Sequence, residues 1–346
     1  MNHRISRRIA YAVLFACHIA GAQTDAALWR YVHPAAKAVI GIDWRKIQQS
    51  SAGLMLQEHI AGAPLPIPGI DFLKDIDRVL ISSPGNAGEE QSEPPILIAV
   101  RGRFNPADVR KALVEHGAKR QMYGAIPIYR PQGKNGKDVG FALPDAQTIL
   151  IGDIASLTSS LDRNEFTPSG TSPTVARAAA MDPLYDLWAV VATPAALGNE
   201  RLMGLLNGGD FGEETQGFEA AVSFRDGLTM NLGINARSEP AAKKLSSELS
   251  KILKLSAKDQ PTNPALAELE KKMKVSAEKE TVSITLHLTK EELEKNTKLF
   301  EASRRSKPNP VAQAKTVVNP PPQKMVIRID GLDSGTREIP FKPEPK

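Results

Sequence analysis

A strand followed directly by a proline-initiated helix constrains the fold of this chain more than any other stretch. Residues 96–100 form an unbroken apolar run, which is typical of a strand covered on both faces. Asn105 and Pro106 then favour a helix start, because asparagine accepts from the free amides of a first turn and proline loses no hydrogen bond there. Val109 and Leu113 follow at helical spacing, so the segment predicts a buried strand and an amphipathic helix.

A similar arrangement returns in the second half of the chain. Apolar and polar residues alternate over residues 228–235, which indicates a strand with one solvated face. Ser238 or Glu239 opens another helix near Pro240. The apolar face of that helix carries Ala241, Leu245, Leu249 and Ile252. The recurrence predicts a duplicated scaffold, and chance repetition of a common strand–helix pair is the alternative.

The remaining pattern predicts the α+β class. Each half follows the order strand–helix–strand–strand–helix–strand, with an extra strand in the first half. Three strands are predicted after the first helix, at residues 121–130, 138–143 and 148–152. Asp226 and Gly227 form a turn between two alternating strands, and residues 289–292 match a capping box that opens the last helix. Such hairpins beside helices favour mostly antiparallel or mixed sheets with helices on one face.

Composition divides the chain into five predicted parts. A stretch rich in Ser, Thr, Gly and Pro over residues 164–173 separates the two halves, and a proline-rich stretch over residues 306–323 indicates an extended linker. The parts are a signal peptide at 1–22, a first α+β half at 23–163, a second α+β half at 174–303, a disordered linker at 304–323 and a short β-hairpin tail at 324–346.

The N-terminal residues are typical of a secretory signal. Arg4, Arg7 and Arg8 precede a short apolar stretch, and small residues at 20–22 suit a cleavage site. That stretch is shorter than the roughly 20 residues a spanning helix needs. The pattern predicts an exported protein, periplasmic or secreted; the alternatives are a lipoprotein anchored through Cys17 and an uncleaved buried helix.

The positive charge lies at the ends of the chain. The net charge is +5, and removing the three leader arginines leaves +2. From Arg304 onward there are nine basic and four acidic residues, a net +5, so the body between carries −3. Because a nucleic-acid-binding domain usually carries its basic patch on the folded surface, that function is disfavoured.

Several familiar chemistries lack their residues. Cys17 is the only cysteine and lies in the leader, so the mature chain can form neither a disulfide nor a cysteine metal site. Residues 133–138 resemble a phosphate-binding loop, but Pro131 and Asp138 depart from its pattern, so a hairpin loop is the better interpretation. The HExxH and GxSxG motifs are absent from the sequence.

The remaining candidates are dispersed, and each has a structural explanation. Oxygen ligation or carboxylate chemistry could involve the acids Asp71, Asp75, Asp77, Asp210, Glu213, Glu214, Asp330 and Asp333, and acid–base chemistry the histidines His33, His59, His116 and His287. The acids lack the spacing of a known calcium loop, so solvated turns and element ends are favoured. Trp29, Tyr31 and Trp44 could form a sugar-stacking platform, but core packing is favoured. No catalytic, cofactor-binding or metal-binding residue is therefore assigned.

Three segments carry a resemblance to a known group of proteins. They are AKAVIGIDWRKI (residues 36–47), DIDRVLISSPG (residues 75–85) and IRIDGLDSGTREIPF (residues 327–341), and they resemble segments of uncharacterised exported bacterial proteins. The likeness covers the first half and the tail. The resemblance implies export and supplies no catalytic residues, because that family has no assigned activity.

These observations predict an exported, non-catalytic scaffold or binding protein of the cell envelope. A secreted hydrolase with a non-local active site, or a membrane-peripheral protein using its basic tail, is the alternative. The tail could add a strand to an envelope partner or to its own body, because an isolated hairpin needs a surface to pack against. No cofactor, nucleic acid or membrane span after the leader is expected. The partner-binding candidates are Ile327, Ile329, Ile339 and Phe341.

Overall fold

Strand pairing joins both predicted halves into one continuous antiparallel sheet of twelve strands among the described residues. The computed structural model describes residues 27–50, 53, 67–85, 94–131, 139–163, 168, 171–193, 214–259, 268–269, 271–305, 326–329 and 337–340. The predicted signal peptide and Cys17 lie outside these residues. Within the described part, no helix combines the length and the apolar character needed to cross a bilayer.

The elements follow one another as short strands and mostly short helices. The sheet strands are β1 (Ala38–Asp43), β2 (Ile76–Ser83), β3 (Leu97–Gly102), β4 (Lys119–Tyr123), β5 (Ile126–Arg130), β6 (Val139–Asp145), β7 (Thr148–Asp153), β8 (Leu187–Val191), β9 (Thr215–Ser223), β10 (Leu228–Ala236), β11 (Lys274–Glu278) and β12 (Thr281–Leu288). The delimited helices are α1 (Trp44–Gln48), α2 (Phe72–Asp75), α3 (Pro106–Glu115), α4 (Ile154–Leu161), α5 (Pro173–Met181), α6 (Glu239–Asp259) and α7 (Lys290–Arg305). The class is therefore α+β, as the sequence predicts.

The order of strands in the sheet is symmetric about the pair β1 and β8. The full order is β11-β12-β10-β9-β8-β1-β2-β3-β7-β6-β5-β4. When the β4–β5 hairpin is set aside, each half contributes five strands, numbered here in chain order. Counted outward from the centre, both halves place them in the same order: first, second, third, fifth and fourth. A helix follows the third strand on both sides, α3 in one half and α6 in the other.

Helices cover both faces of the first half of the sheet. Leu80 and Val79 are neighbours on β2, so their side chains point to opposite faces. Leu80 packs with Leu157 of α4 and residues of α5, whereas Val79 packs with Leu113 of α3 and residues of α1. The prediction of helices on one face is therefore wrong, and the reason is physical. The central strands are apolar on both faces, and both need cover.

The second half buries its apolar face under α6. Ile234 and Val282 lie opposite each other on β10 and β12 and pack against Ala242 and Leu245 of that helix. The intervening β10 positions carry polar residues such as Asn231, which is half-buried. The alternating pattern seen in the sequence thus forms a strand with one apolar and one polar face.

Two predicted helix starts are confirmed by their hydrogen bonds. The Asn105 side chain accepts from the Ala107 amide at 3.0 Å, with Pro106 at the start of α3. Thr289 and Glu292 form a reciprocal capping box, in which each backbone amide donates to the other side chain at 3.1 and 3.3 Å. Local side-chain chemistry therefore sets where these helices begin.

Other elements differ from the sequence prediction. Residues 121–130 were expected to form one strand, but Gly124, at φ +56°, turns the chain and divides the segment into β4 and β5. The short helix α5, capped by Ser172, and the edge strand β11 were not predicted. The outermost strands β4 and β11 carry mostly exposed residues, which explains their weak apolar pattern.

A buried carboxylate ties the two halves together near the central strand pair. Asp182, at the end of α5, accepts hydrogen bonds from the indoles of Trp29 at 3.1 Å and Trp188 at 3.0 Å. It also forms an ion pair with Arg78 of β2. All four side chains are buried, and the two indole rings stack with centroids 6.0 Å apart. This cluster is called the Asp182 node below.

The Asp182 node also fixes one position of the central strand. Gly41 on β1 lies directly opposite Trp188 on β8. A Cβ added at Gly41 would lie 2.3 Å from the Trp188 ring, which is shorter than any van der Waals contact. The glycine is therefore required because the indole occupies the space above it.

The C-terminal residues form a separate compact unit, Glu301–Lys346. Within it, β13 (Val326–Ile329) and β14 (Arg337–Pro340) pair antiparallel, with Ile327 opposite Ile339 and Ile329 opposite Arg337. Phe341 lies outside the described residues.

Asp182→Asn tests the Asp182 node. We expect the free energy of unfolding to fall by about 3 kcal/mol, because the buried ion pair between Asp182 and the Arg78 guanidinium would be lost. Urea unfolding monitored by tryptophan fluorescence measures the change. The control is Asp162→Asn, an exposed carboxylate that accepts from the Tyr123 hydroxyl, and it should cost less than about 1 kcal/mol. Equal losses for the two variants would contradict this role.

Candidate functional site

A pocket of about 290 Å³ lies where β1 ends, β8 begins and β9 ends. Its lining combines one carboxylate, two cations, two neutral polar residues and one aromatic residue. These are Asp186, Lys46, Arg225, Gln49, Ser50 and Phe224. None of these six residues is among the candidates that the sequence pattern indicates.

Backbone pairing places Asp186 at the base of this pocket. Its amide donates to the Val222 carbonyl at 2.9 Å, and its carbonyl accepts from the Asp43 amide at 2.7 Å. The residue is therefore held between β9 and β1 at the start of β8. Only 1% of its surface is exposed, so the carboxylate is buried although it lines the pocket.

Only one oxygen of the Asp186 carboxylate is satisfied. Oδ2 accepts from the Phe224 amide at 2.7 Å and, at 3.4 Å, from the Ser223 hydroxyl. Oδ1 is buried and has no hydrogen-bond donor among the described residues. A buried acceptor without a donor costs about 1–3 kcal/mol, and more when it is charged. One oxygen of this buried carboxylate therefore lacks a stabilising donor or cation among the described residues.

Two cations line the same pocket as this carboxylate. The Lys46 ammonium pairs with Asp43 at 2.8 Å, and the Asp43 side chain also accepts from the Lys46 amide at the start of α1. The Arg225 guanidinium donates to the Pro183 carbonyl at 3.2 Å. A guanidinium has five N–H donors, so this contact leaves it capacity for a further acceptor. The pocket therefore presents both signs of charge.

The aromatic candidates do not form a binding platform. Trp29, Tyr31 and Trp44 are all buried. Trp29 and Tyr31 pack in the core on one face of the sheet, and Trp44 packs in the core on the other face. The sugar-platform interpretation is therefore wrong, and the favoured core packing is confirmed.

The acidic cluster around residue 75 has structural partners. Asp71 caps α2 by accepting from the Leu73 amide at 3.0 Å, and Asp75 accepts from the Asp71 amide at 2.8 Å. Asp77 forms ion pairs with Arg45 at 2.8 Å and Arg103 at 3.2 Å. These contacts account for the carboxylates as helix and strand-end charges.

The proposed calcium ligands are mostly outside the described residues. Asp210, Glu213, Asp330 and Asp333 lie there, as does the loop at residues 133–138. The Glu214 carbonyl accepts from the Arg237 amide at 2.9 Å. In the part of the chain that the structure describes, no group of three or more His, Cys, Asp and Glu side chains gathers into a metal-binding arrangement.

The described histidines lie in separate surroundings. His116 ends α3, and its Nδ1 lies 2.8 Å from the Ala112 carbonyl. The exposed His287 contacts Thr229 at 3.0 Å across two strands. His33 accepts from the Ala35 amide at 3.2 Å; burial lowers its pKa below 6.5, and Arg163 lowers that pKa further. His59 lies outside the described residues.

Asp186 was missed because its position looks ordinary in the sequence. It is an acid directly before the apolar run that begins at Leu187, where charged residues are normally solvated. Its side chain is held by β9, which starts at Thr215 and is followed by the Phe224 amide that donates to Asp186. The nearest signal in the sequence is the Phe224-Arg225-Asp226-Gly227 segment, which by itself predicts only a hairpin turn.

Comparison with known proteins adds no relative. No family model matches the sequence, and neither a curated protein nor a solved structure does. Function is therefore inferred from the geometry of the pocket.

The lowered pKa of His33 predicts a pH-dependent stability. Because the folded state disfavours the charged ring, the unfolded chain binds more protons below about pH 6.5, and stability falls as the pH decreases through that region. His33→Gln should give a shallower decline between about pH 7.5 and about pH 5 in urea unfolding. An unchanged slope for His33→Gln would exclude this contribution.

Asp186→Asn tests whether the unsatisfied buried oxygen lowers the free energy of unfolding of the protein. The amide removes the buried negative charge and can still accept from the Phe224 amide. We therefore expect the free energy of unfolding to rise by about 1 kcal/mol, as when a strained functional residue is replaced. The same substitution at Asp182 should lower it. A loss of stability at Asp186 would indicate a purely structural carboxylate.

Proposed function

We propose that this chain is an exported, non-catalytic binding protein of the cell envelope that holds a small ligand in the Asp186 pocket. The mixed charge of the pocket lining carries the proposal, because Asp186, Lys46 and Arg225 line one cavity. A concave site with a few convergent polar groups is a typical place for a small ligand to bind. The surrounding strands give the pocket a rigid frame, which limits the entropy lost on binding.

The N-terminal segment supports the location. Three arginines, a short apolar stretch and small residues at 20–22 are typical of an export signal. The resemblance of three segments to exported bacterial proteins supports the same location. Export fits the cysteine usage, because the mature chain needs neither reduced thiols nor disulfides.

Internal duplication is the proposed origin of the body. The symmetric strand order supports it, and so do matching backbone hydrogen bonds in the two halves. In each bond a backbone amide donates to a backbone carbonyl. The bond from Arg103 to Asp75 matches that from Arg237 to Glu214, the bond from Gly102 to Gln147 matches that from Ala236 to Glu280, and the bond from Asp43 to Asp186 matches that from Ala192 to Lys37. Each pair joins equivalent ends of equivalent strands. The β4–β5 hairpin is then an insertion in the first half.

This origin bears directly on the pocket. In the β1–β8 pair, Lys37 occupies the place before β1 that Asp186 occupies before β8, and each accepts a backbone hydrogen bond at 2.7 Å. The two copies thus carry opposite charges at equivalent positions. Such divergence supports a specialised role for the site at Asp186, because a shared structural need would favour the same residue type.

The C-terminal unit is the proposed partner-binding element. An isolated two-stranded hairpin is marginally stable in water, so the β13–β14 pair would gain stability from an envelope protein or a sheet edge. Ile327 and Ile339 face each other in register across the hairpin and are suited to such a contact. The proline-rich stretch before it supports a tether with long reach.

Ligand-observed NMR tests the binding function. The purified protein would be mixed separately with free amino acids, monosaccharides and polyamines, and saturation transfer would be measured for each mixture. At least one mixture should give a signal that Asp186→Asn reduces by about fivefold or more, since a charge-assisted contact is lost. Asp162→Asn, an exposed carboxylate on α4's C-terminal side, should leave the signal unchanged. If no mixture gives a signal that depends on Asp186, the proposed function is wrong.

A further inference from the structure

The outermost strand of the second half, β11, has one edge that pairs with no other strand of the described sheet. Its inner edge pairs with β12, from Lys274 opposite Thr285 to Glu278 opposite Thr281. Its outer edge ends the strand order. In an antiparallel sheet, alternate residues of a strand direct their amides and carbonyls to each side, so β11 has backbone groups that face outward. Such an edge can pair with a further strand.

The residues of β11 are complementary to a second copy of the same strand. The strand reads Lys274, Val275, Ser276, Ala277 and Glu278, with a cation at one end and a carboxylate at the other. In an antiparallel pair centred on Ser276, Lys274 of each copy would lie opposite Glu278 of the other, and Val275 opposite Ala277. The two-fold axis repeats each contact, so both ends of the pair would match opposite charges. Opposite charges directly across an antiparallel pair stabilise it.

The charged ends of β11 are accessible to such a partner. All residues of the strand except Val275 are exposed. Neither Lys274 nor Glu278 forms an ion pair with another described residue. Both charges are therefore available for contacts with a second molecule.

Exposed apolar side chains accompany this edge. Val275 packs with Leu249 of α6 in the core of the second half. Ile252 follows Leu249 by three residues on the same helix and is 48% exposed. Ala277 is exposed and lies on the same face of the sheet as Val275, because the two residues are two positions apart on the strand. A second β11 strand would bring its own Val275 and Ala277 to this face.

The opposite edge of the sheet lacks this complementarity. The outermost strand there, β4, carries Lys119 and Arg120 and no acidic residue. Two copies of β4 would bring four cations together without a counter-charge. Like charges on an edge strand are a common protection against pairing with another chain, and β11 does not have that protection against itself.

We propose that the β11 edge binds a second copy of this chain, with the two β11 strands paired antiparallel about Ser276. The two twelve-stranded sheets would then form one continuous sheet across the dimer. The paired segment is short, so the interface is small and the dimer is expected to dissociate on dilution. This inference does not depend on the Asp186 pocket, and its failure would leave the proposed ligand-binding function unaffected.

Charge reversal at the two ends of β11 tests the pairing. Analytical ultracentrifugation of the purified full chain, from about 5 µM to about 500 µM, should show a dimer that increases with concentration. Lys274→Glu and Glu278→Lys each place like charges across both symmetric contacts, so each should weaken dimerisation by about tenfold or more. The double variant restores opposite charges and should dimerise within about threefold of the wild type. Lys243→Glu, at an exposed cation that pairs with Glu239 within α6, is the control and should have no effect.

A disulfide across the two-fold axis tests the register. Cys17 is the only cysteine, so a full chain with Cys17→Ser carries none. In that background, Ser276→Cys places one thiol on each side of the axis. Residues directly opposite in an antiparallel pair have Cα atoms about 4.5–5.5 Å apart, a separation that a disulfide spans. Mild oxidation should therefore link this variant about tenfold faster than Ser247→Cys, an exposed position on α6, as measured on non-reducing gels.

Three results would overturn this dimer. The first is a monomer at every concentration, with equal rates of oxidation for the two cysteine variants. The second is a dimer that neither charge reversal weakens, because another surface must then form it. The third is a double variant that dimerises as poorly as the single variants, because restored opposite charges would then have no effect. Thermal unfolding of each variant shows that it is folded.

Discussion

The ion pair between Asp182 and Arg78 is the contact on which the architecture depends most. Arg78 belongs to β2 in the first half, whereas Asp182 ends α5 at the entry to the second half. The indoles of Trp29 and Trp188 donate to the same carboxylate, so charge and hydrogen bonding are satisfied together in a dry interior. A carboxylate is stable in the interior only when it is hydrogen-bonded or ion-paired. Because these contacts are directional, the cluster fixes the relative orientation of its residues, which apolar packing alone does not. It sets how the helix, the N-terminal residues and the central strands meet.

Asp186 lies four residues further along and shows the opposite situation. Asp182 has a complete set of donors, whereas one oxygen of Asp186 has none among the described residues. Both acids lie just before β8, where two halves of similar topology join. At this junction strands from both halves are neighbours, so its surroundings differ from those elsewhere in the described sheet. Such places are where clefts form most readily, and the pocket beside Lys46 and Arg225 follows this rule.

Sequence reasoning succeeded where the cause is local. The Asn105 cap, the Thr289–Glu292 capping box and the alternating strand β10 each follow from a few neighbouring residues. It failed where distant segments decide the outcome. The edge strand β11 forms because β12 offers it hydrogen bonds, not because its own residues are apolar. Asp186 is buried by a strand far along the chain, so no window around it reveals the site. Helices on both faces could have been inferred, since the apolar run at residues 96–100 already indicated two covered faces.

The seam between β1 and β8 pairs residues about 150 positions apart, Val39 with Val190 among them. Long loops must close before that seam yields any stabilisation, so the order of assembly matters. Each half can form its own hairpins early. Until β1 and β8 pair, each half would expose an apolar strand with unpaired backbone amides along one edge. Self-association at that edge competes with the pairing of β1 and β8 while the chain is folding. The symmetric strand order therefore carries a risk of aggregation during folding that is not visible in the folded sheet.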